Sequence, residues 1–353
     1  MEARLRRLIT AVVLASTLLA PISGFAQQAE NTKPAGKISG YVFGDYYYVV
    51  NNHLDSLKDH NGFWMRRIYF TYDLGLTQEW DVRFRLEMNN KGDFTTVEKL
   101  VPFVKDAYLR WKRGRHAVIV GISASPTWDV VEESWGYRWL EKTPLDLQKM
   151  GSSREFGLAA KGSIDAEKKV RYHLMVGNGK GEQSETNKYK KFLGSLGLYP
   201  NSKVIVEIYG DYEASHGRTD RYTVQGFAAY KSDRYRVGAQ FAHQIKQGVD
   251  ASGDDADRKL DVASVFATVK VSPKVNAVAR VDRTFQANPE GPKIAFLPFD
   301  GGSKSTFLVF GVDVAPTSQV HLMPNVEVVA YDKKNGTGPD SDFIGRLTFY
   351  FTF

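Results

Sequence analysis

The chain has 353 residues, 42% hydrophobic and 13% aromatic, with a mean hydropathy of −0.35. With no cysteine it has no disulfide scaffold, thiol chemistry or thiolate metal site, and its 21 Phe, 18 Tyr and 6 Trp supply too much surface to bury for a disordered chain. The formal charge of +7 is too mild to argue for nucleic acid, and past the first residues no stretch offers a helical membrane span.

Residues 1–26 carry the three parts of a secretory signal peptide. Arg4, Arg6 and Arg7 form a basic start, an apolar run covers 8–20, and Gly24-Phe25-Ala26 is a small-x-Ala cleavage site. The apolar run is too short for the alternative, a membrane anchor. Cleavage removes three Arg and one Glu, leaving +5. Residues 27–36 are polar, with Pro34 and Gly36, and read as a short periplasmic leader before a single domain over 37–353.

From residue 37 one pattern repeats to the end. Segments of about ten residues alternate apolar and polar, with turn residues between them, as in transmembrane β-barrels. In 80–90, Val82, Phe84, Leu86 and Met88 share one parity and Arg83, Arg85, Glu87 and Asn89 the other. A strand places these sets on opposite faces. The predicted strands are 37–50, 63–76, 80–90, 103–112, 116–123, 153–162, 169–177, 189–199, 203–213, 220–231, 234–246, 259–271, 275–286, 305–315, 319–331 and 342–353. Sixteen is even, as bacterial single-chain barrels require. The expected fold is all-β, a closed antiparallel transmembrane barrel.

The connections alternate in length. Tight turns such as Thr77-Gln78-Glu79, Arg113-Gly114-Arg115 and Pro200-Asn201-Ser202 are separated by longer loops, the longest being 124–152. Trp80, Trp111, Tyr199, Tyr230 and Phe353 sit beside the tight turns, where an interfacial aromatic girdle is expected. A secreted β-sandwich or propeller also alternates, with its apolar parity facing a core. Here the polar parity carries Arg, Lys, Asp and Glu deep inside many strands, which suits a water-filled lumen.

By parity Arg67, Arg83, Arg85, Arg110, Lys112, Arg171, Arg236, Arg280 and Arg346 face inward, with Glu87, Asp106, Glu207, Asp211, Asp282 and Glu327. Arg67, Arg83, Arg85, Arg110 and Lys112 come from three successive strands and would form a basic wall patch that attracts anions. Arginine suits phosphate or carboxylate oxygens through bidentate donation. The alternative is that these bases pair with Glu87, Asp106 and the acids of 124–152, stiffening the wall.

Catalytic motifs are lacking: the chain has no H-E-x-x-H and no G-x-S-x-G, so no enzyme and no cofactor is expected. His53 and His60, with Asp55 and Asp59, read as a hydrophilic loop rather than a hydrolase site. Asp250, Asp254, Asp255 and Asp257 depart from EF-hand spacing and read as a solvated loop; no metal site is expected.

The end of the chain, Gly345-Arg346-Leu347-Thr348-Phe349-Tyr350-Phe351-Thr352-Phe353, resembles the C-terminal signal of Gram-negative outer-membrane proteins. Phe349, Phe351 and Phe353 would then be read by the barrel-assembly machinery. The whole chain after residue 36 resembles a sixteen-stranded porin. Gly62-Phe63-Trp64-Met65-Arg66-Arg67-Ile68-Tyr69-Phe70, Trp80-Asp81-Val82-Arg83-Phe84-Arg85, Lys105-Asp106-Ala107-Tyr108-Leu109-Arg110 and Val120-Gly121 resemble the phosphate-selective porin O/P family in particular.

That resemblance implies an integral outer-membrane protein bounded by lipid and lipopolysaccharide, a homotrimer, and passive diffusion of small hydrophilic solutes or anions, phosphate among them. It also places an inward-folded constriction loop at 124–152. Trp128, Asp129, Glu132, Glu133, Trp135, Tyr137 and Arg138 would then shape the eyelet, with Asp129, Glu132 and Glu133 facing the basic wall. An extracellular loop packed on its neighbours is the alternative for 124–152. A barrel without an open channel, acting as adhesin, receptor or anchor, is the alternative for the whole chain.

Overall fold

The computed structural model describes residues 36–249 and 255–353. The expected signal peptide and nearly all of the leader lie outside the described residues, as do Asp250 and Asp254. Gly36, counted above with the leader, opens the first strand.

Sixteen strands close into one antiparallel barrel. In chain order they are β1 (Gly36–Asn51), β2 (Asn61–Gly75), β3 (Trp80–Asn89), β4 (Val101–Arg113), β5 (His116–Ala124) and β6 (Arg154–Ser163). Then come β7 (Val170–Gly177), β8 (Lys191–Asn201), β9 (Val204–Glu213), β10 (Arg221–Lys231) and β11 (Tyr235–Lys246). The last five are β12 (Arg258–Ser272), β13 (Val275–Thr284), β14 (Ser305–Thr317), β15 (Val320–Tyr331) and β16 (Asp342–Thr352). Every strand pairs with its sequence neighbours, and β1 pairs with β16, so no edge is left open to lipid.

The closing seam depends on small residues. Gly44 of β1 lies opposite Phe349, whose ring would sit 2.8 Å from a Cβ there. Gly40 makes two backbone hydrogen bonds with Phe353, at 2.9 and 3.0 Å, and gives room to its ring. The aromatic C-terminus is thus seated on β1 by two glycines.

Alternation sorts the two faces. Leu174, Ile208, Val265 and Phe310 sit mid-strand and are more than half exposed. Such a belt is costly in water and favourable against lipid. On the other parity Arg67, Glu87, Asp106, Arg280, Asp282, Glu327 and Arg346 are buried inside the barrel. The girdle expectation needs one correction. Trp80, Tyr230 and Phe353 are exposed, and Trp80 pairs with Trp111 at 6.3 Å between ring centroids, but Tyr199 turns into the lumen. Its ring lies under the Arg171 guanidinium at 4.0 Å, in space left by Gly197.

Candidate functional site: the loop-lined lumen

The connection between β5 and β6 enters the barrel. It forms helix α1 (Trp128–Trp135) and the short helix α2 (Pro144–Leu147). Pro144 suits the first position of α2, where no amide donor is needed. Gly136 ends α1 at a φ of +73°, and its amide donates to Glu132 O at 2.8 Å. The left-handed conformation favours glycine, and a Cβ there would collide with Arg236.

The apolar side of this loop is packed against the wall. Trp128, Val131, Trp135, Tyr137, Trp139, Leu140, Leu147 and Met150 are all buried. Trp139 stacks on Tyr350 at 5.2 Å, Trp135 meets Phe266 edge-on at 5.3 Å, and Trp128 meets Tyr209 at 5.9 Å. Three tryptophan side chains thus anchor the loop to β9, β12 and β16.

Polar side chains from the wall hold the loop backbone. Arg66 donates to Leu140 O at 2.9 Å, Gln244 to Met150 O at 2.5 Å, and Arg236 to Trp135 O at 3.3 Å. Arg280 donates to Lys142 O at 2.5 Å, and Tyr137 OH to Asp313 Oδ2 at 3.1 Å. Buried carbonyls need such partners, since leaving one unmade costs about 1–3 kcal/mol. Burial without an ion-pair partner among the described residues pushes the Lys142 ammonium down to about 8.

A second loop also folds inward, which sequence reasoning missed. Between β13 and β14, Ile294, Phe296, Leu297 and Phe299 are buried in the same cluster as Leu140 and Leu147. The Phe296 amide donates to Gly92 O at 2.7 Å, and its ring lies 4.7 Å from the Arg66 guanidinium. Asn288 donates to Gln148 O at 3.0 Å, tying the two loops together. The signal was present in the sequence as four apolar residues, Ile294, Phe296, Leu297 and Phe299, within one connection.

The five bases expected to form an anion-attracting patch are on the lumen wall, but each has a carboxylate. Arg67 meets Glu87 at 3.1 Å, Arg83 meets Asp73 at 2.7 Å, and Arg85 meets Asp106 at 3.2 Å. Arg110 and Lys112 share Asp81, at 2.9 and 2.8 Å. Of the acids expected as partners in the alternative reading, Glu87 and Asp106 serve, whereas Asp73 and Asp81 replace the acids of 124–152. Within the loop, Arg138 bridges Glu132 at 3.3 Å and Asp146 at 3.1 Å. Arg85, Lys105, Glu132, Arg138 and Asp146 keep between 14 and 22% exposure, so water reaches the gap between β2–β4 and the loop.

The cations without acid partners lie elsewhere. A cavity of about 1050 Å³ opens at the tight-turn end, between the wall of β4–β11 and α1. Nine Lys or Arg and four Asp or Glu line it. Lys112 and Lys169 are paired, whereas Arg115, Lys161, Arg171, Lys231 and Arg236 have no carboxylate within ion-pair distance among the described residues. Asp129 and Glu133 of α1 face them across the cavity. Partial burial and the neighbouring Asp129 carboxylate hold Glu133 above the ordinary carboxylate range. Of the bases expected to face inward, Lys112, Arg171 and Arg236 line this cavity; Arg67, Arg83, Arg85 and Arg110 do not.

His53 is not paired with Asp55 or Asp59. Its Nδ1 lies 2.9 Å from Asp342 on β16, whose carboxylate also accepts from Tyr331, clasping the first loop to the closing seam. No group of three metal-binding side chains gathers among the described residues.

Closed sixteen-stranded barrels with an inward loop define the porin fold, and solved structures of that class align over most of the chain. The anion-selective porin from Comamonas acidovorans superposes with a TM-score of 0.66 at 13% identity, covering 91% of this chain and all of that one. The outer-membrane channel DcaP of Acinetobacter baumannii gives 0.65 at 14%, covering 93% and 100%. OmpT of Vibrio cholerae, in a trimer form, gives 0.62 at 12%, covering 91% and 100%. No protein-family model and no curated protein sequence matches the chain. The chain has the fold of outer-membrane porins.

Proposed function

We propose that this barrel is an outer-membrane channel for passive diffusion of small hydrophilic solutes, with a preference for anions. The observation that carries the reading is the tight-turn cavity, whose unpaired Arg115, Lys161, Arg171, Lys231 and Arg236 outnumber Asp129, Glu133 and Glu207. Lysine and arginine in a pore wall favour anions. The β2–β4 wall adds little net charge, because its arginines are paired. Phosphate is one anion such a wall would admit, through guanidinium donors at Arg171 and Arg236. The lipid-facing belt and the aromatic C-terminus support an outer-membrane location after removal of residues 1–26. The OmpT trimer form supports assembly as a homotrimer.

The test is single-channel recording of the folded barrel in a planar bilayer, with the reversal potential read in a KCl gradient. Ohmic steps with chloride preference are expected. Cation preference would overturn the anion assignment. Folded protein giving no steps would overturn the channel and favour the adhesin or anchor reading.

A further inference from the structure

A buried carboxylate on the lumen wall has no counterion among the described residues. Glu207 of β9 is 3% exposed and is among the residues that line the tight-turn cavity. No Lys, Arg or His among the described residues comes within ion-pair distance of it. Its Oε1 is buried without a hydrogen-bond partner. The hydroxyls of Thr127 and Ser195 face the group, and the Thr127 oxygen already accepts from Gln225 at 2.7 Å, which leaves its proton to point at Glu207. A buried carboxylate is costly unless a cation joins it.

Strand register places a cation on the same level. Arg171 of β7 is opposite Gly197 of β8, and Gly197 is opposite Glu207 of β9. The three residues form one rung, and its two charged ends line the same cavity. Two strand spacings separate Arg171 from Glu207, about 10 Å. The Tyr199 ring lies over Gly197, with the Arg171 guanidinium 4.0 Å from its centre, so an aromatic surface lies between the two charged groups. Arg171 uses Nε on the Lys168 carbonyl at 3.1 Å and has no carboxylate of its own among the described residues. A guanidinium and a buried carboxylate therefore face one water-filled cleft and do not neutralise each other.

We propose that this rung is a binding subsite for zwitterionic solutes, with the ammonium held by Glu207, Thr127 and Ser195 and the carboxylate by Arg171. The inference rests on the reading of the lumen as a solute path, and adds the class of solute that pauses there. An ω-amino acid, with its charges several bonds apart, fits the rung better than a simple anion.

The experiment is calorimetric titration of the folded full barrel in detergent with 4-aminobutyrate, with butyrate and butylammonium as singly charged controls. This readout does not depend on conductance, so failure of the subsite and failure of the channel reading are separable. The zwitterion is expected to bind at least tenfold more tightly than either control. Glu207→Gln, which keeps shape and removes charge, should weaken it at least tenfold, as should Arg171→Gln, with the barrel still folded by circular dichroism. Unchanged affinity in Glu207→Gln would mean that the carboxyl carries a proton, and would overturn the proposal. So would equal binding of butyrate, or no binding to wild type at millimolar concentrations.

Discussion

Arg66 on β2 reaches into the lumen to donate to the Leu140 carbonyl at 2.9 Å, so the barrel wall holds the inward loop in place. The same guanidinium meets Glu141 at 3.2 Å and Asp45 at 3.6 Å, both fully buried. Arg66→Met would leave these acids with less counter-charge and one loop carbonyl unpartnered. Removing one partner of a buried pair costs about 3–5 kcal/mol. The expected outcome is a lower urea midpoint and, in recordings, larger and noisier conductance steps as the loop loosens.

Ion pairing distinguishes the β2–β4 wall from the wall of the tight-turn cavity. Because Arg83 is paired with Asp73, the double variant Arg83→Gln/Asp73→Asn should leave the reversal potential nearly unchanged. Lys161→Gln/Lys231→Gln removes two cations that face Asp129 and Glu133 without partners. It should move the reversal potential toward cations. Equal shifts in the two variants would show that pairing does not decide selectivity.

Acidification should strengthen anion preference. Glu133 is held above the ordinary carboxylate range by partial burial and by Asp129. A raised carboxyl takes up its proton at a higher pH than a free one, and its negative charge is lost as pH falls. The facing lysines and arginines keep theirs. Reversal potentials at pH 7 and pH 5 should therefore differ, with more chloride preference at pH 5, and Glu133→Gln should reduce the difference.

The outer belt makes a stability prediction. Ile208 is 61% exposed near the centre of β9. Ile208→Arg should destabilise the barrel by about 2–4 kcal/mol if it lies near the bilayer midplane. Refolding midpoints in lipid vesicles would measure this, and a neutral result would place β9 differently in the membrane.

Much of this architecture was legible in the residues. Alternation with period two, as in Val82, Phe84 and Leu86 against Arg83, Arg85 and Glu87, depends only on strand geometry, so faces and strand bounds followed locally. The tight turns and the even strand number followed for the same reason. The aromatics of 124–152 marked it as a packed loop, because Trp128, Trp135 and Tyr137 need a surface to cover them. What parity cannot supply is which charged side chains meet. Arg83 and Asp73 are neighbours through strand register, Arg66 and Glu141 through loop folding, and both ion pairs depend on distances set by closure. The same holds for Tyr199, drawn inward by Gly197 and Arg171, and for the loop carrying Phe296. The sequence by itself determined a barrel with a charged interior, because periodicity is a property of the chain. Only the tertiary structure decided where that charge is neutralised and where it stays open, because ion pairing falls off within a few ångströms and those ångströms are set by strands far apart in the chain.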